Sequence, residues 1–373
     1  AFNGEFKGIM VFSFLKKNQV DKDKNIVAVL DIGSSKICVL IAEEDQGSLN
    51  IIGVGHQVSR GVKNGIINDM DSAKMTVGHA IAAAESMAGV VLDKIIIGVA
   101  GTVLKSLAFR TSVDLNGKVL EETDWRKISP VFEIPENNEL IHAVPVNYNL
   151  DGNSGIIDPL GMVGQKLWID VHPIIANVNA LKNIYFAVQH NHLDIEGTCS
   201  SAYASALATL DEDEKKLGSI LIDIGGGKTE IAVFDSGKFI YGGVLPVGGN
   251  HITNDIAKGL STPINHAERL KILYGSLHVS STDDHQLIDV PQIGEDDSEN
   301  ANTMPRSILI NIIRPRMEEI FEMIRAHLDN VGFGKVITKR VVLTGGASQI
   351  LGAKELATTM LSKQVRLAKP VKI

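Results

Sequence analysis

Cysteine is nearly absent from the sequence: Cys38 and Cys199 are the only two in 373 residues. A disulfide framework is thereby excluded as the organiser of the fold, and a reducing compartment is expected. Neither has a Cys or His neighbour at zinc-ligand spacing, so both read as inert buried thiols. An apolar run of about 18 or more residues is also lacking, which excludes a transmembrane helix. Positive charge is in deficit too. The formal net charge is -8 and no dense Lys/Arg stripe occurs, so nucleic acid is not expected as a partner. In IMVFSFLKK, Ile9 to Lys17, the apolar core precedes the basic residues, the reverse of a signal peptide. Residues 1–24 therefore read as a partly docked N-terminal tail, with Met10 a candidate natural start.

What is present is ample core material. With 373 residues, 44% of them hydrophobic, the chain exceeds one ordinary core and two lobes are expected. Strand-like runs at Ile26 to Leu30, Ile37 to Ala42 and Asn50 to Val54 precede an amphipathic helix from about Asp69 to Ala88. Within it Met70, Ala73, Val77, Ala80, Ile81 and Ala84 recur at helical spacing. Lys94 to Ala100 reads as a strand, and from there to about Val171 short β-type runs and turn signals (Asn116-Gly117, Asp151-Gly152) predict a smaller inserted subdomain. Helices are expected over Asn177 to His190 and Ser201 to Leu210, with the charged run Asp211 to Lys216 a solvated loop between elements. Strands at Ser219 to Ile224, Thr229 to Phe234 and Lys238 to Leu245 then repeat the opening plan. A helical region from His251 to about Tyr274, a polar stretch ending in Glu295 to Asn300, a long helix from Arg306 to Val331, a strand at Arg340 to Leu343 and a last helix after Gly346 complete the pattern. Strands mixed with helices in both halves predict α/β lobes. His190 and His192 have no third ligand at convincing spacing and read as a surface pair at a helix end.

Gly227-Lys228-Thr229 looks like the end of a Walker A phosphate loop, but the first glycine of such a loop would fall at Ile222, inside an apolar strand. The following TEIAVFD alternates as a strand and opens no helix, so a P-loop is excluded. The informative feature is an echo. VLDIGSSKICVLIA (Val29 to Ala42) matches LIDIGGGKTEIAVF (Leu221 to Phe234) position for position, a duplication that predicts two related lobes. Each Asp ends an apolar strand, where its carboxylate can face a divalent cation or its waters. The small residues let the backbone turn tightly and aim N–H groups at phosphate oxygens, and Lys36 and Lys228 add point charges. One such turn is most simply a plain hairpin; two matched copies favour a shared anion site. VVLTGGASQILG (Val341 to Gly352) and LPVGGNHITNDIA (Leu245 to Ala257) add two strand, Gly-Gly, helix junctions that admit a flat ligand or favour negative charge.

These turns in successive lobes, with a late Thr-Gly-Gly before a helix, resemble the actin-like ATPase superfamily. Within it the chain is similar to the FtsA family of bacterial cell-division proteins. The similarity is carried by IIGVGHQVSRGVKNGIINDMDSA (Ile51 to Ala73), HAVPVNYNLDG (His142 to Gly152), IDPLGMVG (Ile157 to Gly164), LIDIGGGKTEIAVF, GGNHITNDIAKGL, AERLKILYG (Ala267 to Gly275) and VVLTGGASQILG, nearly the whole chain from Asn25 onward. It implies an actin-like two-lobe ATPase fold with a duplicated core and a β-rich insertion. The first-lobe core would be 25–92 and 173–212, the inserted subdomain 93–172, the second-lobe core 213–257 and 337–373, and its small subdomain 258–336. By the family pattern Asp31, Gly33, Ser34, Ser35 and Lys36 form the first phosphate turn and Asp223, Gly225, Gly226, Gly227, Lys228 and Thr229 the second, with Asp31 and Asp223 holding Mg through water. Gly248, Gly249 and Asn250 are expected near the phosphates or ribose, and Gly345, Gly346 and Ala347 beside the adenosine. Glu268 and Lys271 are expected on the helix that covers it, a surface ion pair being the plain alternative.

The resemblance further implies ATP and Mg as cofactors, self-association into filaments, and attachment of FtsZ filaments to the inner face of the cytoplasmic membrane at the division site. The acidic C-terminal tail of FtsZ would meet a basic groove, for which Arg306, Arg314 and Arg316 are candidates; ordinary exposed helix positions are the plain alternative. Other division proteins would bind the inserted subdomain. Cys199-Ser200-Ser201 offers a thiol and two hydroxyls but no Glu or Gln to orient water, so slow hydrolysis with no assigned catalytic residue is expected. Family members normally continue beyond the point matching Ile373 into a returning segment, a linker and an amphipathic membrane helix, so membrane contact is expected to depend on a helix absent from this sequence. A sugar- or acetate-kinase-like phosphotransferase of the same superfamily is the alternative activity; a chaperone would require a further peptide-binding domain.

Overall fold

The computed structural model describes residues 25–101, 103–121, 134–294, 302–334 and 340–370. The expected N-terminal tail and the acidic run Glu295 to Asn300 lie outside them. The β-branched opening runs form β1 (Asn25–Ile32), β2 (Lys36–Asp45) and β3 (Ser48–Val58), an antiparallel meander. A short hairpin, β4 (Val62–Lys63) and β5 (Ile66–Ile67), leads to helix α1 (Met70–Ala88). Asp69 caps α1, accepting from the Ser72 N–H at 3.3 Å, and Ala73, Val77, Ala80, Ile81 and Ala84 form its buried face as the spacing predicts, with Met70 only half-buried. Strand β6 (Lys94–Val99) then returns parallel to β1.

The inserted subdomain has its own sheet: β7 (Leu104–Ser106), β8 (Phe109–Asp114), β9 (Asn138–Leu150), β10 (Asn153–Ser154) and β11 (Lys166–Asn177), with β11 paired to β7, β8 and β9. Leu115, Leu120, Tyr148, Leu150, Leu167 and Ile169 give it a separate small core. Sheet membership places its limits differently from 93–172: β6 belongs to the first-lobe sheet, while β11 runs on to Asn177. Helix α2 (Val178–Gln189), strand β12 (Asp194–Ser200), parallel to β6, and helix α3 (Ser201–Thr209) complete the first lobe.

The second lobe comprises α4 (Glu212–Leu217), the meander β13 (Ser219–Ile224), β14 (Thr229–Asp235) and β15 (Lys238–Leu245), helices α5 (Gly249–Gly259) and α6 (Ile264–Tyr274), the ribbon β16 (Leu287–Val290) and β17 (Asn302–Pro305), helix α7 (Arg306–Asn330), then β18 (Arg340–Thr344), α8 (Ala353–Leu361) and β19 (Gln364–Leu367). Its sheet order, β15-β14-β13-β18-β19, repeats the first-lobe order, β3-β2-β1-β6-β12. In each, a central strand opens an antiparallel meander on one side and has two parallel strands on the other. The sequence echo is thus a duplication of a whole sheet.

Two expectations are corrected. Asp211 to Lys216 is no solvated loop. It supplies α4, in which Glu214 is buried, reaches back to the Asp211 N–H at 3.1 Å and is clamped by Arg366 (Nε to Oε1, 2.6 Å), a partner remote in sequence. The helical region after His251 is split by a turn from Leu260 to Pro263, in which Ser261 takes a φ of 51° and Pro263, with no N–H to donate, serves as the N-cap of α6.

The insertion is rooted on both lobes. His142 Nε2 accepts the Ser200 N–H at 2.9 Å, and buried His172 donates from Nδ1 to the Phe239 carbonyl at 2.9 Å and accepts from Ser106 Oγ at 2.5 Å. Ser106 in turn accepts the Gly242 N–H at 3.3 Å. Tyr203, Phe234 and Phe239 stack at this junction. Burial lowers the pKa of both histidines to about 4 and keeps the rings neutral.

Candidate functional site

The two Asp-Ile-Gly turns have the same backbone. In the first, Asp31 pairs with Cys38 across β1 and β2 and the Gly33 N–H closes the turn onto the Lys36 carbonyl at 3.0 Å. In the second, Asp223 pairs with Glu230 across β13 and β14 and the Gly225 N–H bonds the Lys228 carbonyl at 2.9 Å. Their side chains then nest. The Ser35 hydroxyl lies where a Cβ on Gly226 would stand, and a Cβ on Gly227 would be 2.6 Å from Ser34 Oγ. Only glycine admits the serines of the facing turn so closely. Ser35 Oγ also donates to Asn250 Oδ1 at 3.1 Å. The strap before α5 is sewn beneath the second turn: Gly249 N–H to the Gly225 carbonyl, 2.9 Å, and Asn250 N–H to the Gly226 carbonyl, 2.7 Å, with Gly248 against the same carbonyls. Thr229 is fully buried and donates to the Val247 carbonyl at 2.8 Å.

Carboxylates and lysines converge around this nest. Asp31 has its own surface open to the cleft yet is surrounded by protein, and desolvation raises its pKa against the pull of Lys228 and Lys36. Asp223 is likewise raised by desolvation, opposed by a 2.8 Å hydrogen bond from Ser205 Oγ and by Lys228. Glu230, buried beside it, is pushed up to about 7 by desolvation despite the Lys228 Nζ at 3.1 Å. Ser34 Oγ, Ser201 Oγ and Glu230 Oε1 are buried without a hydrogen-bond partner. Orphaned hydroxyls and disfavoured carboxylates are what a site would show if it were built around a phosphate and a cation. Among the described residues no group of three or more His, Cys, Asp or Glu could hold a metal directly. The residues fit Mg bound by one or two carboxylates and waters, the usual mode for that ion at a phosphate.

The other expected residues flank the second turn. Gly345 abuts Asp223, and a Cβ on it would lie 2.5 Å from the Ile224 carbonyl; Gly346 faces open space and Ala347 packs against Gly249. Lys271 is no surface partner: its buried ammonium donates to the Gly249 carbonyl (3.1 Å), Thr253 Oγ1 (2.9 Å) and Glu268 Oε2 (2.6 Å), tying α6 to the strap. The three arginines are not brought together. Arg306 bonds the Tyr274 carbonyl (2.9 Å), Asp283 (3.0 Å) and Gln286 (3.2 Å); Arg314 pairs with Glu318 (2.8 Å); Arg316 pairs with Asp255 (2.5 Å) and Glu319. Two residues apart on α7, Arg314 and Arg316 point about 160° away from each other.

Cys199 donates weakly to the Ser200 carbonyl at 3.5 Å, and burial pushes its thiol up to about 11, so it is a neutral group and no base. Sequence reasoning missed Glu230, Ser205 and Asn64, whose Oδ1 would be 2.8 Å from a Cβ on Gly227. The echo held a signal for Glu230, since it occupies the position of Cys38, opposite the turn aspartate.

Comparison with known proteins follows the same division. The family model for cell division protein FtsA matches residues 220–372, and that for the SHS2 domain inserted in FtsA matches 101–175. The cell division protein FtsA of Rhizobium meliloti (strain 1021) is 41% identical over 364 residues, spanning 94% of this chain and 82% of its own. That of Bacillus subtilis (strain 168) is 34% identical over 346 residues, spanning 91% and 78%. Among solved structures, the PilM-PilN type IV pilus biogenesis complex superposes with a TM-score of 0.64 at 15% identity over 92% of this chain and 88% of that one. MreB5 of Spiroplasma citri bound to ADP gives 0.57 at 15% identity over 92% of each. These likenesses show an actin-like fold.

Proposed function

The chain belongs to the FtsA family of cell-division proteins, and from that premise we propose that it binds ATP with Mg between its lobes and uses the bound state to self-assemble on the division apparatus. One observation carries this: two duplicated turns nest serine into glycine around Asp31 and Asp223, leaving orphaned hydroxyls and two desolvated carboxylates at one point. Backbone N–H groups within the two turns, those of Ser34 to Lys36 and of Gly226 to Lys228, would take the phosphates, with Lys36 and Lys228 adding charge. Asp31 and Asp223 would hold the waters of Mg, which when bound supplies the positive charge that favours their ionised form. The strap Gly248 to Asn250 would line the phosphates or ribose, and Gly345, Gly346 and Ala347 the adenosine, with Glu268 and Lys271 bracing the covering helix.

Turnover is proposed to be slow. Near Ser201, whose orphaned hydroxyl would be 3.3 Å from a Cβ on Gly98, the neutral Cys199 cannot take a proton from water, and Glu230 is committed to Lys228. A rate above about 1 per second, ordinary for an enzyme, would contradict this. On the same premise the second lobe receives the acidic FtsZ tail, with Arg306 on one face and Arg314 and Arg316 on two others as separate candidate contacts, the inserted subdomain receives later division proteins, and the protein works at the inner membrane face. No helix among the described residues is long and apolar enough to cross a membrane.

Thermal unfolding with and without ATP and Mg tests the central claim. Ligand at about 100 times its dissociation constant adds about 2.7 kcal/mol to the folded state, and Asp223→Ala should remove that gain. Wild type that shows no ATP-dependent shift ends the nucleotide assignment. Co-pelleting with FtsZ, with and without charge reversal at Arg306, tests the partner separately.

A further inference from the structure

The β4–β5 hairpin was not expected to take part in the site, yet its tip reaches the second phosphate turn. Lys63 and Ile66 pair, and the two residues between them, Asn64 (φ 53°) and Gly65 (φ 78°), both take the left-handed conformation of a tight hairpin turn. This tip is fixed on the end of β6. A Cβ on Gly65 would strike the Ala100 carbonyl, and one on Gly101 would lie 2.5 Å from the Asn64 carbonyl. At the hairpin's base the Asn68 N–H bonds the Gly61 carbonyl at 2.9 Å. From this anchored position the Asn64 side chain is aimed at Gly227, where its Oδ1 and the orphaned Ser34 Oγ crowd the same point. Among the described residues its carboxamide makes no hydrogen bond of its own. A half-buried polar group on a rigid support, beside a second unsatisfied polar atom, is poised for a ligand.

The order of contacts along the turn says which part of the ligand. Gly225 touches Gly248 and Gly249, the strap that reaches Ala347 and Lys271; Gly226 touches Ser35 and Asn250; Gly227 touches Ser34 and Asn64. If adenosine lies at the Ala347 and Lys271 end, the Gly227 end holds the last phosphate. Resting on the nucleotide assignment above, we propose that Asn64 donates its side-chain N–H to the terminal phosphate of ATP, and so makes the cleft distinguish ATP from ADP. The carboxamide can present either its oxygen or its NH₂ by rotation, and a bond to an anion is among the stronger kinds.

Asn-Gly also suits this turn for conformational reasons alone, so the test uses replacements that keep the turn. Equilibrium binding of ATP-Mg and ADP-Mg is measured for wild type, Asn64→Gly and Asn64→Asp, together with ligand-free melting. Both variants should melt close to wild type. Asn64→Gly should weaken ATP about tenfold and leave ADP within about twofold, and Asn64→Asp, which sets a carboxylate against the phosphate, should weaken ATP about a hundredfold. Wild-type ATP affinity in both variants, or equal loss for ATP and ADP, overturns the role of Asn64 while leaving the nucleotide assignment standing. If wild type binds neither nucleotide, both fall together.

Discussion

Asp31 to Cys38 and Asp223 to Glu230 are the same hairpin built twice, closed by the same glycine-to-lysine bond and seated in sheets of the same order. Their side chains have diverged to opposite ends. The first turn carries hydroxyls, an exposed Lys36 and Cys38; the second carries bare glycine, a buried Lys228 and Glu230. The divergence is complementary, because serines of one turn occupy hollows that glycines leave in the other. Duplication thus supplied two matching turns, and loss of symmetry supplied the interface between them.

The lysines should separate the two turns most sharply. Lys228→Met removes the cation that opposes desolvation of Glu230, leaves its carboxyl protonated and without its partner, and should cost about 1–3 kcal/mol, whereas Lys36→Met, on the open side, should cost about 0.5 kcal/mol or less. Urea denaturation at neutral pH measures both, and equal costs would break the contrast. Glu230 itself should give the second turn a pH signature the first lacks. Its pKa is raised from 4.5 to about 7 on folding, so between those values the folded state holds a proton that the unfolded state has lost. Stability from this group therefore falls as pH rises through that window, by about 3 kcal/mol in all, and levels off above it. Glu230→Gln should flatten that component of the urea midpoint measured against pH. His142 and His172 act with the opposite sign: neutral when folded, they cost stability as pH falls from 6.5 to about 4. Comparing each variant with wild type isolates its own slope.

The nest should be asymmetric too. Gly226→Ala drives a methyl into Ser35 and to 3.0 Å from Asn250 Oδ1, and should abolish most of the ATP-dependent stabilisation of about 2.7 kcal/mol; Ser35→Gly removes a bump and should keep most of it. Smallest of all, Cys38→Ser, at the position equivalent to Glu230, should change stability by about 0.5 kcal/mol and leave ATP binding as it was.

Much of this site was legible because turns and strands are local. Asp-Ile-Gly followed by small residues can hardly be anything but a tight reversal between strands, and the failed Walker spacing at Ile222 followed from counting. The insertion was visible as a change from helical to β-type periodicity. What could not be read were partners far apart in the chain. DEDEKK looked like a solvated loop because nothing nearby marks Arg366 as the residue that takes Glu214 into the interior. Glu230 looked like the polar half of an alternating strand, yet β14 is covered on both faces from Thr229 to Phe234. Three arginines near one helix suggested one groove, and helical geometry turned them onto different faces.

By itself, then, the sequence determined the duplicated turns, the α/β lobes, the inserted β subdomain and the chemistry brought to the cleft, since each depends on short-range sterics and on the period of apolar residues. Only the tertiary structure decided how that chemistry is paired: Ser35 with Asn250 across 215 residues, Ser34 and Asn64 with Gly227, Lys228 with Glu230 in the dry interior. Those pairings depend on how two separately patterned lobes pack, and burial, which sets the protonation of Asp31, Asp223 and Glu230, exists only once they have.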